Sequence, residues 1–278
     1  MTCTTCKGTG RTRKPDENGA MWTRRCACRA PAWYTTLEAG GVPKPLLCHT
    51  LLTANQVKNW AEGKRPKDLE RRPKPFDLKN LQDGNESLAA ALDDARFLFK
   101  AYLAQQMDEN LEVMGVTYQG NPGVGKTALG CAILGDLLRS GVKGLKFTKL
   151  PVLLESLNQI RRMERPESDL LDPLCKAPVL MVDDVGAYRG GLDYEARVLS
   201  LLLDEREAKN LPMIVTTNLT PEQMKKRFQS TKDPGDAQAG ARMLDRLETW
   251  CPFTRIAGKS YRPNAASKRR ARFAGTLI

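Results

Sequence analysis

The chain has 278 residues and a mass of 30.9 kDa, which is enough for one sizeable α/β domain and a small accessory module. Its formal net charge of +12 and its pI near 9.4 indicate a polyanionic partner, although charge alone does not distinguish nucleic acid from an anionic membrane. No run of about 18 apolar residues occurs, and residues 1–14 are polar and cysteine-rich, so we expect neither a spanning helix nor a signal peptide but a cytoplasmic protein.

Four cysteines lie near the amino terminus in two close pairs, Cys3 with Cys6 and Cys26 with Cys28. The stretch between the pairs is long enough for a small ribbon to fold back. Zn²⁺ prefers four soft ligands in a tetrahedron, so the thiolates predict a closed zinc site within a module over 1–50. The second pair has one intervening residue instead of two, and free or redox-active thiols are the alternative. The surrounding lysines and arginines form either a DNA-binding face or a solvated shell.

The other cysteines are scattered through apolar surroundings, which predicts core packing and not disulfides: Cys48, Cys131, Cys175 and Cys251. Cys48 precedes His49, the only histidine of the chain, and the two form a tempting extra ligand pair. Because four thiolates already complete a zinc shell, we favour a boundary segment that packs among neighbouring leucines.

Residues 51–86 are predicted to be a basic linker or arm. The stretch 60–80 is dense in lysine, arginine and proline and has few apolar residues, so it cannot bury a core of its own. It either follows nucleic acid or serves as a soluble tether.

A phosphate-binding loop is encoded by the sequence Gly-Asn-Pro-Gly-Val-Gly-Lys-Thr. An amphipathic helix over 88–105, capped by Ser87, and a buried strand over 113–118 precede it, and a helix over 128–138 follows. In such a loop backbone N–H groups point at phosphate oxygens, the lysine reaches the β- and γ-phosphates, and the hydroxyl binds Mg²⁺. The predicted nucleotide-binding residues are Gly120, Asn121, Pro122, Gly123, Val124, Gly125, Lys126 and Thr127.

Two carboxylates end a later apolar strand. A strand over 145–150 and a helix from Pro151 come first, and the strand over 179–184 then ends in Asp183 and Asp184. A buried strand of a parallel sheet presents its last residues at the carboxyl edge, where nucleotides bind in open α/β folds. We expect Asp183 to hold Mg²⁺, mainly through water, and Asp184 to orient or deprotonate the attacking water.

The next strand, predicted over 213–218 after a helix over 194–209, has a polar tip. Asn218 is expected to hydrogen-bond the γ-phosphate or the attacking water from this neighbouring strand. Residues 220–223 read Thr-Pro-Glu-Gln, which predicts a capping box at a helix start. The basic run 225–227 is typical of a solvated helix face.

Two arginines, Arg242 and Arg246, lie four residues apart on a helix predicted over 241–249, so they project from one side. The sequence alone does not indicate whether either reaches a phosphate. The basic run 268–272 belongs to a tail that would at most tether a polyanion.

Six short motifs in this order resemble the DnaC/DnaI group of AAA+ helicase loaders and the related transposition ATPase IstB. The resemblance covers about 41–262 and has these motifs: Gly-Val-Pro-Lys at 41–44, the phosphate loop, Val-Asp-Asp-Val-Gly at 182–186, Thr-Thr-Asn-Leu at 216–219, Arg-Met-Leu-Asp-Arg-Leu at 242–247, and Gly-Lys-Ser-Tyr-Arg at 258–262. A cysteine-rich module ahead of the ATPase is similar to the DnaI arrangement.

The resemblance implies an α/β fold: an AAA+ P-loop core over 87–262 with a parallel sheet flanked by helices, preceded by the zinc module and followed by a basic tail over 263–278. The roles that it implies are Walker A for Lys126 and Thr127, Walker B for Asp183 and Asp184, sensor 1 for Asn218, an arginine finger acting on a neighbouring subunit for Arg246, and a sensor 2-like arginine for Arg262. In AAA+ proteins the second Walker B acid is commonly Glu, so Asp184 favours slow hydrolysis. The family's single-stranded DNA contacts correspond to 149–165.

The leading hypothesis is an ATP-dependent loader of a hexameric, DnaB-like replicative helicase onto single-stranded DNA, with ATP, Mg²⁺ and Zn²⁺ as cofactors. ATP would bridge subunits of a self-associating protein. One alternative is an IstB-like transposition helper that binds duplex DNA. Another is a zinc-containing nucleic-acid-binding adaptor that only senses ATP.

Overall fold

A computed structural model describes residues 11–15, 21–25, 42, 49–51, 74–75, 86–229 and 234–260. Two small sheets precede the main body: β1 (Arg11–Pro15) pairs antiparallel with β2 (Met21–Arg25), and β3 (His49–Thr50) pairs parallel with β4 (Lys74–Pro75). The β1–β2 hairpin falls in the stretch between the two cysteine pairs. Cys3, Cys6, Cys26 and Cys28 themselves lie outside the described residues, so the zinc site stays a prediction.

The main body alternates helices and strands. In chain order they are α1 (Glu86–Gln105), β5 (Val116–Gln119), α2 (Lys126–Arg139), β6 (Lys146–Lys149), α3 (Leu150–Arg162), α4 (Ser168–Cys175), β7 (Leu180–Val185), α5 (Leu192–Glu207), β8 (Met213–Thr217), α6 (Pro221–Gln229), α7 (Pro234–Trp250) and β9 (Phe253–Arg255). The strands form one sheet in the order β6-β7-β8-β5-β9, and every neighbouring pair is parallel. The carboxyl ends of all five strands therefore meet at one edge.

Helices cover both faces of this sheet, which explains why β7 and β8 begin with consecutive apolar residues. Met181 of β7 and Ile214 of β8 belong to the core cluster formed with α1 and α2. Their neighbours Leu180, Val182 and Val215 belong to the cluster formed with α3, α5 and α7. Since successive side chains of a strand point to opposite faces, β7 and β8 need consecutive apolar residues until polar residues begin near their carboxyl ends. The predicted α/β core with a parallel sheet is confirmed.

One predicted helix start is confirmed and another is wrong. The capping box at the start of α6 is present, because Gln223 N donates to Thr220 Oγ1 (3.2 Å) and Thr220 N donates to Gln223 Oε1 (2.9 Å). Ser87 does not cap α1, which already begins at Glu86; its hydroxyl instead accepts a hydrogen bond from Ala257 N (2.9 Å).

No helix in the described ranges is long and apolar enough to cross a membrane.

Three of the scattered cysteines pack in the core, as predicted. Cys131, Cys175 and Cys251 are buried free thiols. Burial raises the pKa of Cys251 to about 12, so this thiol stays protonated and unreactive at neutral pH. Cys48 lies outside the described residues.

A buried carboxylate ties the stretch ahead of α1 to helix α2. Asp136 of α2 is only 3% exposed, and it accepts hydrogen bonds from Thr50 Oγ1 (2.7 Å) and Leu51 N (2.7 Å). It also pairs with Arg139 one turn later, whose Nε lies 3.1 Å from Asp136 Oδ1. Leu51 and Val42 are buried in the same core as α1 and α2. The core of the main α/β body therefore includes chain that precedes α1.

We expect Asp136→Ala to lower the free energy of unfolding by about 3–5 kcal/mol, because it removes a buried carboxylate that pairs with a guanidinium and accepts hydrogen bonds from a hydroxyl and a backbone N–H. Thermal unfolding should show a midpoint about 10 °C lower. Asp172→Ala is the control, since Asp172 of α4 forms an exposed ion pair with Lys176, the residue after this helix, and its loss should change little. Equal midpoints for Asp136→Ala and wild type would contradict the anchoring role.

Candidate functional site

The phosphate-binding loop lies between the carboxyl end of β5 and the first residue of α2. Gly123 and Gly125 have φ values of +89° and +104°, a region that side-chain-bearing residues rarely adopt. A Cβ on Gly123 would come within 2.0 Å of Ser260 Oγ. The loop leads directly into the amino end of α2. The first N–H groups of a helix favour a bound anion.

Lys126 is buried at the start of α2, and its ammonium lies inside the loop. Its Nζ donates to Gly120 O (2.6 Å), Asn121 O (2.9 Å) and Asn218 Oδ1 (2.8 Å). Asn218 follows β8, which pairs directly with β5, so the sheet order brings the two predicted site residues together. The arrangement places a cation and an amide where terminal phosphates of a nucleotide bind.

Asp183 provides the acidic side of the site. It is 1% exposed, and its Oδ1 accepts hydrogen bonds from Thr127 Oγ1 (2.7 Å) and Thr216 Oγ1 (2.6 Å). Its Oδ2 is buried and accepts no hydrogen bond from the described residues, although Lys149 Nζ lies 3.6 Å away. A carboxylate oxygen with unused acceptor capacity beside a threonine hydroxyl fits Mg²⁺, which prefers hard oxygen ligands. Asp183 and Thr127 are therefore suited to hold the metal of a Mg²⁺-nucleotide.

Asp184 is held in an unusual backbone conformation. Its φ is +62°, and the pairing of β7 with β8 shifts register between Val182 and Val185. Asp184 N donates to Thr216 Oγ1 (3.1 Å), which also donates to Asp183. Left-handed backbone in a non-glycine residue persists only where neighbours enforce it, and it is frequent at functional sites.

Lys149 is a site residue that the sequence did not identify. Its Nζ lies 3.0 Å from Asp184 Oδ2 and 3.6 Å from Asp183 Oδ2. Partial burial disfavours the charged amine, but hydrogen bonds and charge from the two aspartates outweigh burial and raise the pKa of Lys149. The contact follows from the register of β6 with β7, which pairs Lys149 with Asp183. The amino-acid sequence alone does not indicate which strands pair or in which register.

A buried ion pair that the sequence did not indicate supports the turn that follows Asp183 and Asp184. Glu195 of α5 is fully buried, accepts a hydrogen bond from Gly186 N (2.9 Å) and forms an ion pair with Arg227 of α6 (2.9 Å). Arg227 also donates to Tyr188 O. The basic run 225–227 was expected to be a solvated face, which is wrong for Arg227, because the helix turns this residue toward the buried carboxylate.

Arg246, which was predicted to act on a neighbouring subunit, does not contact the phosphate loop of its own chain. Arg246 of α7 pairs with Asp204 and Glu207 of α5, and Arg242, one turn earlier, is exposed. Chain that follows β9 does reach the loop, since Ser260 lies against Gly123. Arg262, two residues further, lies outside the described residues, and its sensor role stays a prediction.

Comparison with known proteins identifies the family of this domain. The family described as IstB-like ATP binding protein matches residues 86–269, well over half of the chain. Replicative helicase loader DnaC of Escherichia coli K12 is 26% identical over 167 residues, covering 56% of this chain and 62% of DnaC. Replicative helicase loader DnaI of Bacillus subtilis is 26% identical over 149 residues, covering 53% of this chain and 47% of DnaI.

Among solved structures, a crystal structure of DnaI superposes with a TM-score of 0.55 at 20% identity, covering 77% of this chain and 94% of that chain. This likeness shows the fold. The chain spans 62% of the length of the DnaC relative and 47% of the DnaI relative. From the family match and the phosphate loop that opens α2, we conclude that the chain belongs to the IstB-like ATP binding proteins, related to the DnaC and DnaI helicase loaders, and has an AAA+-type α/β core.

Proposed function

We propose that the protein is an ATP-dependent loader that places a hexameric, DnaB-like replicative helicase on single-stranded DNA during replication initiation. The observation that carries the proposal is the nucleotide site at the sheet edge, in a domain whose sequence is similar to two replicative helicase loaders. A site of this kind in a basic protein supports an ATP switch that acts on nucleic acid.

In this proposal the loop 120–127 and the amino end of α2 bind the phosphates of ATP, and Lys126 neutralises their charge. Thr127 and Asp183 would hold Mg²⁺, which would neutralise negative charge on the phosphates. Asn218 hydrogen-bonds the γ-phosphate or the attacking water. These contacts bind and orient the nucleotide.

Asp184 orients or deprotonates the attacking water, and hydrolysis is slow. Two features support a low rate: aspartate is shorter than the glutamate common at this position, and Lys149 Nζ lies 3.0 Å from Asp184 Oδ2, so the lysine occupies an oxygen that would otherwise contact the attacking water. Slow hydrolysis lets the bound nucleotide determine how long an assembly lasts.

ATP also joins subunits. Arg246 is proposed to contact the nucleotide of a neighbouring subunit, and Arg262 to act as the sensor 2-like arginine of its own site. The single-stranded DNA surface is assigned to 149–165, where Arg161 and Arg162 end α3. Arg161 forms an ion pair with Glu167 (2.5 Å), and its Cζ lies 4.6 Å from the centroid of the Tyr194 ring. This arginine therefore has partners within its own chain.

The amino-terminal module is proposed to bind one Zn²⁺ through Cys3, Cys6, Cys26 and Cys28 and to contact the helicase. Elemental analysis of the full-length protein should find about one zinc per chain, because four thiolates complete a tetrahedral shell. Replacing Cys26 and Cys28 with serine should release the metal, whereas Cys48→Ser should retain it. A folded module without zinc would contradict the assignment.

The loading function is tested by mixing the protein with its replicative helicase, ATP and circular single-stranded DNA and measuring helicase retained on the DNA. We expect an increase that requires ATP and is lost in Lys126→Ala. If the protein neither binds the helicase nor increases its loading, the proposal is refuted.

The family match also supports a second candidate, an IstB-like transposition helper that coats duplex DNA and recruits a transposase. ATP-dependent filaments on duplex DNA, with little affinity for single strands, would favour it. A third candidate is a nucleic-acid-binding adaptor that only senses ATP. Turnover that is absent, or unchanged by Lys126→Ala, would favour that reading.

A further inference from the structure

We propose that Asp204 and Glu207, in the last turn of α5, form an acidic clasp that holds Arg246 within its own chain and must release it before a neighbouring ATP site is completed. The inference rests on the proposed action of Arg246 in trans and adds a regulatory step to it. Because of the clasp, subunit association competes with an intramolecular ion pair. Assembly therefore requires a higher ATP concentration than it would if Arg246 were free of the two carboxylates.

Both carboxylates contact the guanidinium directly. Arg246 Nε lies 3.0 Å from Asp204 Oδ1, and Arg246 Nη1 lies 3.0 Å from Glu207 Oε2. The contact to Glu207 has hydrogen-bond geometry, whereas Asp204 Oδ1 is a buried atom for which the described residues offer an ion pair but no hydrogen bond. The arginine therefore has two anionic partners on one side.

The clasp lies far from the chain's own phosphate loop. Residues 208–212 connect the end of α5 to the first residue of β8, and Trp250 O at the end of α7 accepts a hydrogen bond from Gly115 N just ahead of β5 (2.8 Å). Both helix ends are thus at the amino edge of the parallel sheet, while Lys126 follows the carboxyl end of β5. Any nucleotide that Arg246 contacts must belong to another subunit.

The charges of the clasp oppose such a contact. Two carboxylates surround one guanidinium, so the group as a whole is negative and repels the phosphates of an incoming nucleotide. The guanidinium has to leave at least one carboxylate to pair with a phosphate oxygen. The clasp therefore competes with the trans contact.

The clasp is weak enough to open. The side chains of Arg246, Asp204 and Glu207 are 43%, 46% and 38% exposed, and ion pairs of such exposure shift an equilibrium by about fivefold or less each. Arg242, one turn earlier on α7, is exposed and forms no ion pair with the described residues. The two carboxylates thus act on Arg246 and leave its neighbour on the same helix unpaired.

The test compares the double variant Asp204→Asn/Glu207→Gln with wild type in sedimentation velocity over a series of ATP concentrations. We expect the ATP concentration for half-maximal self-association to fall by about three- to tenfold, since the full-length variant no longer holds Arg246. The matched control is Glu205→Gln/Asp172→Asn, which removes two carboxylates from exposed pairs with Lys209 and Lys176 and should cause no shift.

The outcomes separate the clasp from the function on which it rests. If wild type associates with ATP and the double variant needs the same or a higher ATP concentration, the clasp is refuted and the trans contact stands. If the control variant shifts as far as the clasp variant, general charge repulsion explains the effect and the clasp is again refuted. If wild type binds ATP without associating, the proposed subunit contact is itself refuted.

Discussion

Lys126→Ala is expected to weaken ATP binding by about a hundredfold or more. The ammonium of Lys126 is the buried cation of the loop, and charge-assisted hydrogen bonds to phosphate contribute about 1.5–3 kcal/mol each. Titration calorimetry with a non-hydrolysable ATP analogue and Mg²⁺ measures the loss directly. Every ATP-dependent step, including helicase loading, should be lost at micromolar ATP.

Lys143→Ala is the matched control for this prediction. Lys143 is an exposed lysine in the turn between α2 and β6, so its removal changes the net charge equally without touching the loop. Thermal unfolding of both variants separates loss of binding from loss of fold. If Lys126→Ala binds the analogue as tightly as Lys143→Ala does, the loop does not hold phosphates.

The sequence predicts this half of the site well, because the phosphate loop is contiguous. Its eight residues fix the local backbone, and the flanking strand and helix follow from their own apolar patterns. Asp183 and Asp184 were predicted for a similar reason, since they end a buried strand whose carboxyl edge must carry the ligand. Asn218 followed from the next buried strand, and the structure confirms that it lies beside Lys126.

Contacts between elements far apart in sequence were not predictable. Lys149 meets the two aspartates only because β6 pairs with β7, and Glu195 meets Arg227 only because α5 packs on α6. Helix α4 was missed because it is one of the shortest helices and contains Pro173. Strand β9 was missed because three partly exposed residues carry no clear period-two pattern.

Arg246→Ala is expected to lower stimulated ATP turnover by about a thousandfold while ATP binding by the single chain stays unchanged. An arginine supplied by a neighbouring subunit neutralises charge that develops in the transition state, and its removal typically has this effect. Arg246 lies on the opposite edge of the sheet from Lys126, so it does not contribute to binding in its own chain. Turnover is measured at saturating protein and DNA, and binding by calorimetry.

Arg242→Ala is the control because it removes the same charge from the same exposed face of α7, one turn away. We expect it to reduce turnover by less than tenfold. A larger loss in Arg242→Ala than in Arg246→Ala would transfer the trans role to Arg242. A weaker nucleotide affinity as the only defect of Arg246→Ala would remove it from that role.

Mixing the two deficient proteins provides the sharpest test of action in trans. At micromolar ATP, Lys126→Ala subunits bind little ATP but carry Arg246, whereas Arg246→Ala subunits bind ATP but lack the arginine. In a mixed assembly an interface with ATP on the second protein and Arg246 on the first is complete, so turnover should rise well above the sum of the separate proteins. If the arginine acted within its own chain, no mixture would contain a complete site, and turnover would remain at that sum at every ratio.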